Sequence, residues 1–336
     1  MTDTSDGWSR VREELMFSIV VDRPGDPGVM NYRELPDPIV GAGELLVEVA
    51  ASGVNFIDVY QRKGTYDVPV PFVPGREGAG TVRACGTGVN GVSSGDTVAW
   101  ASGVLGSYST LAVIPADRAV CVPQGMAMDT AAASLLQGMT AHYLTHSTYV
   151  VRPGDSVLVH AAAGGTGLLL VQMVKMRGGR VIGTVSTPEK ERLAREAGAD
   201  EVIPYEGFDR TVRELTNGDG VPVVYDGVGR ATVDGSLRSL RTRGLLVLYG
   251  AASGPVPPVD PMRLRAKGLF ITRPTLIPAY LHDREELLWR ATSVLGWVSS
   301  NEIRVCIGGR YPLADACRAH QDLEGRASSG KLLLIP

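Results

Sequence analysis

Over residues 156–272, short apolar runs alternate with longer runs of helical character. The stretch 157–159 (VLV) is apolar and largely β-branched, the pattern of a strand buried on both faces. A glycine-rich turn, AAAGGTG over 161–167, leads into LLLVQMVKM, which is apolar nearly all round and reads as a buried helix. Residues 181–185 close the unit as a second strand. The whole has the length of a parallel crossover. The alternation then continues: a helix from Pro188 stopped by Gly198, strand EVIPY at 201–205, helix DRTVRELT, strand VPVVYDGVG, helix VDGSLRSL, strand GLLVLYG, and a last strand in GLFITRP at 268–274. This predicts a doubly wound parallel sheet in an α/β chain.

The upstream half has a different period. MFSIVV, ELLVEVAASGVN, GAGTVRACG, DTVAW and YSTLAVIPADRAVCVP are short strand-like runs separated by Gly, Ser and Pro turns, with one helical stretch at 54–62. Such density predicts a compact, partly closed β-rich domain. Residues 129–149 are rich in Ala and Leu and predict one or two helices. REELLWRATSVLGWV predicts another, and the closing KLLLIP is expected to return as a strand to the first domain. The expected division is an N-terminal extension at 1–15, a discontinuous β-rich domain at 16–138 and 276–336, and a nucleotide-binding domain at 139–275.

Composition narrows the function more than the fold. The 336 residues are 44% hydrophobic and 21% charged with a net charge of −3, so no basic field favours nucleic acid or an anionic membrane. No apolar run reaches transmembrane length, and the first residues lack the apolar core of a signal peptide, so a cytoplasmic location is expected. Cys85, Cys121, Cys306 and Cys317 are scattered without a C-x-x-C pair, against a disulfide framework or zinc knuckle.

The glycine turn reads A-x-x-G-x-x-G (Ala161, Gly164, Gly167), a variant of the dinucleotide fingerprint. Glycines there let the backbone approach a pyrophosphate, and the next helix offers it unpaired N–H groups. An NAD site usually places an acid about 20 residues on, to hold the ribose hydroxyls. Here Ser186, Thr187 and Lys190 stand instead. A hydroxyl and a cation suit a 2′-phosphate, so NADP(H) is the expected cofactor. Thr187-Pro188 also fits an N-cap followed by proline at the first helical position. His142 and His146 have the i, i+4 spacing of two metal ligands, but without the HExxH glutamate or a third ligand a structural role is expected.

From Met16 onward the chain resembles the medium-chain dehydrogenase/reductase superfamily, and within it the zinc-independent NADPH:quinone oxidoreductases related to zeta-crystallin. The resemblance rests on GVNFIDVYQRKGTY (53–66), PGREGAGTV (74–82), HAAAGGTG (160–167), GTVSTPEK (183–190), VVYDGVG (223–229), ITRPTL (271–276) and RAHQDLEGRASSGKLLLIP. It implies a GroES-like catalytic domain, a Rossmann domain and a cleft between them. It further implies Gly164, Gly165, Thr166 and Gly167 along the pyrophosphate, and Ser186 and Lys190 on the 2′-phosphate. Tyr205 and Arg326 would lie near the adenosine end, with Thr140, Gly250, Ala251 and Thr275 also on the cofactor. Asn55, Tyr60 and Tyr66 would be the polar groups around nicotinamide and quinone. Thr166 departs from the usual Val or Ile, and Arg76 stands where zinc alcohol dehydrogenases of the superfamily carry a zinc-binding His.

A quinone or enone is already electrophilic and needs only hydride and a proton, whereas alcohol oxidation needs something to stabilise the alkoxide, which zinc does as a Lewis acid. Asn55 and the tyrosines are expected to polarise and position the acceptor carbonyl. The expected activity is therefore NADPH-dependent quinone reduction. The alternatives are an enone or enoyl reductase acting on an activated C=C bond and a non-catalytic, crystallin-like or RNA-binding NADPH protein. A homodimer paired through GLFITRP is the expected assembly.

Overall fold

The computed structural model describes residues 15–101 and 103–336, so the expected extension lies, as far as residue 14, outside the described residues. The chain opens with an antiparallel hairpin, β1 (Leu15–Val21) and β2 (Met30–Pro36). Then follow β3 (Glu44–Val54), α1 (Phe56–Arg62), β4 (Gly78–Cys85), β5 (Thr97–Trp100), β6 (Leu111–Pro115) and β7 (Val120–Cys121). α2 (Met128–Tyr143) runs into a wider π-helical turn at Leu144–Thr148. The boundary expected between 138 and 139 falls inside this helix.

Strands and helices then alternate: β8 (Ser156–Val159), α3 (Gly165–Met176), β9 (Arg180–Thr184), α4 (Pro188–Glu196), β10 (Glu201–Ile203), α5 (Phe208–Leu215), β11 (Val221–Asp226), α6 (Val233–Ser239), β12 (Leu240–Leu248) and β13 (Phe270–Thr272). The chain closes through α7 (Arg284–Ser299), β14 (Ile307–Pro312), α8 (Ala316–Glu324) and β15 (Lys331–Ile335).

The six strands β8 to β13 form one parallel sheet in the order β10-β9-β8-β11-β12-β13. Its two faces separate by the period of two that pleating imposes. Val157, Val159, Val223, Tyr225 and Val247 face one core, under α2, α3 and α7, while Leu158, Val224, Leu246 and Leu248 face the other with Phe208 and Val212. Chain direction across the sheet reverses between β8 and β11. The crevice outside the carboxyl ends of these two strands is where an open α/β sheet binds ligands.

The second sheet runs β14-β15-β3-β4-β5-β7, with β6 also paired to β3. β15 enters it beside β3, Leu333 opposite Gly53. Gly164 in the glycine turn bridges Gly330, whose N–H donates to the Ala163 carbonyl at 3.1 Å, so the C-terminal strand ties this sheet to the turn. The two sheets therefore meet where β3 ends and α3 begins.

Candidate active site

The cleft between the sheets has a volume of about 430 Å³. Its floor is the turn between β8 and α3. Ala161 takes a left-handed conformation (φ 51°), its N–H donates to the Tyr205 hydroxyl at 3.0 Å, and Gly164 caps α3 in an extended conformation. A Cβ on Gly167 would overlap the Ala161 carbonyl, so only glycine permits this close crossing. The N–H groups at the start of α3 have no intrahelical acceptors and offer an anion site. Behind the turn, His160 bridges Thr184 (2.9 Å) and Ser236 (3.0 Å), and Ser236 donates to Asp226. Burial lowers the His160 pKa, with Asp226 partly opposing. This histidine supports the turn from beneath.

One end of the cleft collects positive charge. Thr187 caps α4, its hydroxyl accepting from the Lys190 N–H at 3.2 Å, and Pro188 is the first helical residue. The same helix thus carries both the ordinary capping arrangement and the cation. Lys190 Nζ donates to the Arg326 carbonyl at 2.5 Å. Burial and then the Arg326 guanidinium push the lysine pKa down, Glu189 partly opposing. Arg326 itself is left-handed (φ 56°), unusual for a residue with a side chain. Two cations brought together beside a glycine cradle, with Ser186 and Tyr205 in the same lining, fit a dinucleotide bearing a 2′-phosphate.

The opposite end is built on α1. Asn55 precedes the helix, and the Asp58 carboxylate accepts from its backbone N–H at 2.8 Å. The Asn55 side chain is committed within the protein. Lys331 donates to its Oδ1 at 2.7 Å, and its Nδ2 donates to Glu77 at 2.9 Å and to the Gly53 carbonyl at 3.2 Å. Lys331 and Glu77 pair directly, both almost fully buried, and the other Glu77 oxygen accepts from the Leu136 N–H at 2.6 Å. The amide that sequence reasoning aimed at a substrate carbonyl thus closes a buried charged trio.

Tyr60 and Tyr66 meet edge-on at 5.3 Å between ring centres. The Tyr60 hydroxyl accepts from the Ala251 N–H at 3.0 Å, and the Tyr66 hydroxyl from Arg273 at 3.2 Å. Both rings thus reach across to the parallel-sheet unit, and each hydroxyl retains its own hydrogen to donate. Gly164 to Gly167, Ser186, Lys190, Tyr205 and Arg326 line the cleft together. Asn55, Tyr60, Tyr66, Thr140, Gly250, Ala251 and Thr275 stand behind or beside that lining. The Thr140 and Thr275 hydroxyls donate to the carbonyls of Leu136 (2.7 Å) and Ile277 (2.8 Å), and a Cβ on Gly250 would press on the Gly227 backbone.

Residues 41–124 match the family described as alcohol dehydrogenase GroES-like domain, and residues 165–289 that described as zinc-binding dehydrogenase. A quinone oxidoreductase of Pseudomonas aeruginosa is 45% identical over 93% of this chain and 97% of its own. The chain belongs to the quinone oxidoreductase family of the medium-chain dehydrogenases/reductases. A mycobacterial structure solved with NADPH superposes on this family member with a TM-score of 0.92, at 49% identity, covering 95% of this chain and all of the other. A 2-haloacrylate reductase of a Burkholderia species is 37% identical over 96% of this chain and 99% of its own.

Arg76, expected from the resemblance to stand where zinc alcohol dehydrogenases carry a His, is half-buried beside the cleft. Its guanidinium donates to the Gly103 carbonyl at 2.7 Å and lies 2.6 and 2.9 Å from a Gln61 amide atom that, facing two donors, is assigned as the oxygen. Among the described residues no three His, Cys, Asp or Glu side chains gather as a metal site. His142 and His146 stack at 4.3 Å against Trp297, and Arg290 lies 3.0 Å from His142. Burial holds His142 at a pKa of about 3, with His146 and Arg290 adding to the effect.

Sequence reasoning missed the charged residues behind the cleft. Their signal was present as Lys331 heading an apolar strand and Glu77 among glycines, two charges where burial was expected. Asp58 belongs to the same group. Its Oδ2 accepts from Tyr108 at 3.1 Å, Tyr108 contacts His320 at 3.0 Å, and Arg62 links His320 to Glu324. Its Oδ1 is buried without a partner among the described residues. Burial raises the Asp58 pKa to about 7, with Glu77 adding and the Asn55 N–H, Lys331 and Tyr108 opposing. His320, lowered to about 3 by burial and Arg62, stays neutral across that range.

Because the folded pKa lies above the unfolded one, Asp58 binds its proton more tightly in the native state. Its contribution to stability is complete below about pH 4 and is lost as pH rises through 7. The expected result is that the thermal midpoint of the wild type falls, relative to that of Asp58→Asn, between pH 5 and pH 8. Parallel midpoint-versus-pH curves for the two proteins would refute the assignment.

Proposed function

We propose that this protein reduces quinones with NADPH in the cleft between the two sheets. The observation that carries the reading is the pairing of Lys190 with Arg326 at the end of β9, where an NAD enzyme would place an acid. When bound, NADPH supplies the hydride. The protein's part is to hold and orient. The Gly164–Gly167 turn and the start of α3 take the pyrophosphate; Ser186, Lys190 and Arg326 take the 2′-phosphate. Tyr60 and Tyr66, fixed as acceptors by Ala251 and Arg273, turn their own hydroxyl hydrogens to the acceptor oxygens of the substrate. A quinone needs no Lewis acid, in keeping with Arg76 at the position of the zinc ligand. Residues 16–138 with 276–336 would then act as the catalytic unit and 139–275 as the cofactor unit, with α2 shared between them.

A second reading, reduction of a C=C bond conjugated to a carbonyl, draws on the similarity to the 2-haloacrylate reductase. The test is oxidation of NADPH and NADH at 340 nm after EDTA treatment, with 1,4-benzoquinone, 9,10-phenanthrenequinone and an alkyl enone as acceptors. NADPH-selective quinone turnover that survives EDTA is the expected outcome. Turnover of the enone alone would select the second reading. Binding of NADPH with no turnover of any acceptor would leave a non-catalytic role.

We further assign a homodimer and a cytoplasmic location. Among the described residues β13 ends the parallel sheet, paired on one side with β12, and its Phe270 is 59% exposed, so a second copy can extend the sheet there. A light-scattering mass of one chain at micromolar concentration would rule the dimer out. No helix among the described residues is long and apolar enough to cross a membrane.

A further inference from the structure

The buried trio does more than neutralise itself: it fixes the orientation of the next side chain towards the cleft. Lys331, a cation, must face an oxygen of Asn55, and Glu77, an anion, must face its NH₂ group. The Asn55 amide therefore has one possible orientation. Its Oδ1 is also approached by Gln137 Nε2 at 3.4 Å, a long hydrogen bond from α2. With its NH₂ turned to Asn55, Gln137 must turn its Oε1 the other way.

That oxygen is buried and has no partner among the described residues, an uncommon state for an amide in a protein interior. Gln137 lines the cleft and packs on Gly165, where a Cβ would overlap its Oε1. The second glycine of the turn thus also makes room for Gln137. An unsatisfied acceptor costs free energy until a donor arrives. No titratable change can relieve it, because an amide neither gains nor loses a proton in this pH range.

We infer that Gln137 is a cofactor-binding residue, held ready by Asn55, Lys331 and Glu77, whose Oε1 accepts a hydrogen bond from the nicotinamide half of the dinucleotide. This rests on the NADPH reading above. Two kinds of donor on that half qualify, the carboxamide N–H and the ribose hydroxyls. The phosphates carry no donor for it at neutral pH, and Lys190 and Arg326 mark the other end of the cleft as the adenosine side.

The test is equilibrium binding to Gln137→Met, which keeps the length of the side chain and removes the acceptor, and to Gln137→Ala as a second variant. NADPH is expected to bind about tenfold more weakly to both, while adenosine 2′,5′-bisphosphate, which lacks the nicotinamide half, binds as to the wild type. The analogue carrying 3-acetylpyridine in place of nicotinamide has no carboxamide N–H. If that N–H is the donor, wild type and variants bind the analogue equally. If a ribose hydroxyl is the donor, the variants lose the same factor on both cofactors. Unchanged NADPH affinity in the variants, or an equal loss on the bisphosphate, would overturn the assignment. Failure of the wild type to bind NADPH would overturn the NADPH reading instead.

Discussion

Lys331→Met is expected to destabilise the protein by about 3–5 kcal/mol, because it strands the Glu77 carboxylate in the interior. Lys331 and Glu77 are 1% and 0% exposed, and among the described residues no second cation contacts the carboxylate; its other contacts are Asn55 Nδ2 and the Leu136 N–H. A surface ion pair would be worth a small fraction of this, since water would solvate the remaining charge. Pairing the change with Glu77→Gln should recover most of the loss, because a neutral amide can keep one oxygen on the Leu136 N–H. Urea unfolding midpoints of the two single variants and the double variant check this. Equal midpoints for Lys331→Met and the wild type would show that Glu77 is solvated in solution.

The second large effect concerns cofactor choice. Replacing both Lys190 and Arg326 with Ala is expected to weaken NADPH binding by about 10- to 100-fold, the range for losing charge-assisted hydrogen bonds to a phosphate. NADH, which lacks the 2′-phosphate, should bind the variant as it binds the wild type. Burial first and the nearby Arg326 second lower the Lys190 pKa, so removing both cations relieves a buried charge and a repulsion, and the unliganded double variant should stay folded. Equal losses for NADPH and NADH would place these residues on a part of the cofactor that both share. Raising the ionic strength should narrow the gap between NADPH and NADH in the wild type and not in the variant.

The parallel sheet was legible because its strands are continuous apolar runs punctuated by Gly and Pro, and β11, buried along its whole length, is the extreme case. The glycine turn and the cationic end of the cleft were legible for a related reason: their residues are sequence neighbours, in a turn and a helix cap whose rules are local. The far end was not. Asn55, Glu77, Gln137 and Lys331 come from four separated segments, and only the pairing of β15 with β3 and the packing of α2 bring them together. Local pattern places Asn55 at the start of a helix. It cannot reveal that a lysine 276 residues later claims the amide oxygen.

The position of β15 also sets an order on biosynthesis. The strands of the parallel sheet are contiguous in the chain and α7 follows them, so that unit is complete once residues up to 299 have left the ribosome. The sheet that holds β3 cannot close then. Its β3 strand was made early, yet the edge at residues 52–54 waits for residues 332–334, and Glu77 waits for Lys331. A nascent chain therefore carries an open strand edge and an uncompensated acid through nearly all of its synthesis, the interval in which a chaperone has most to offer it.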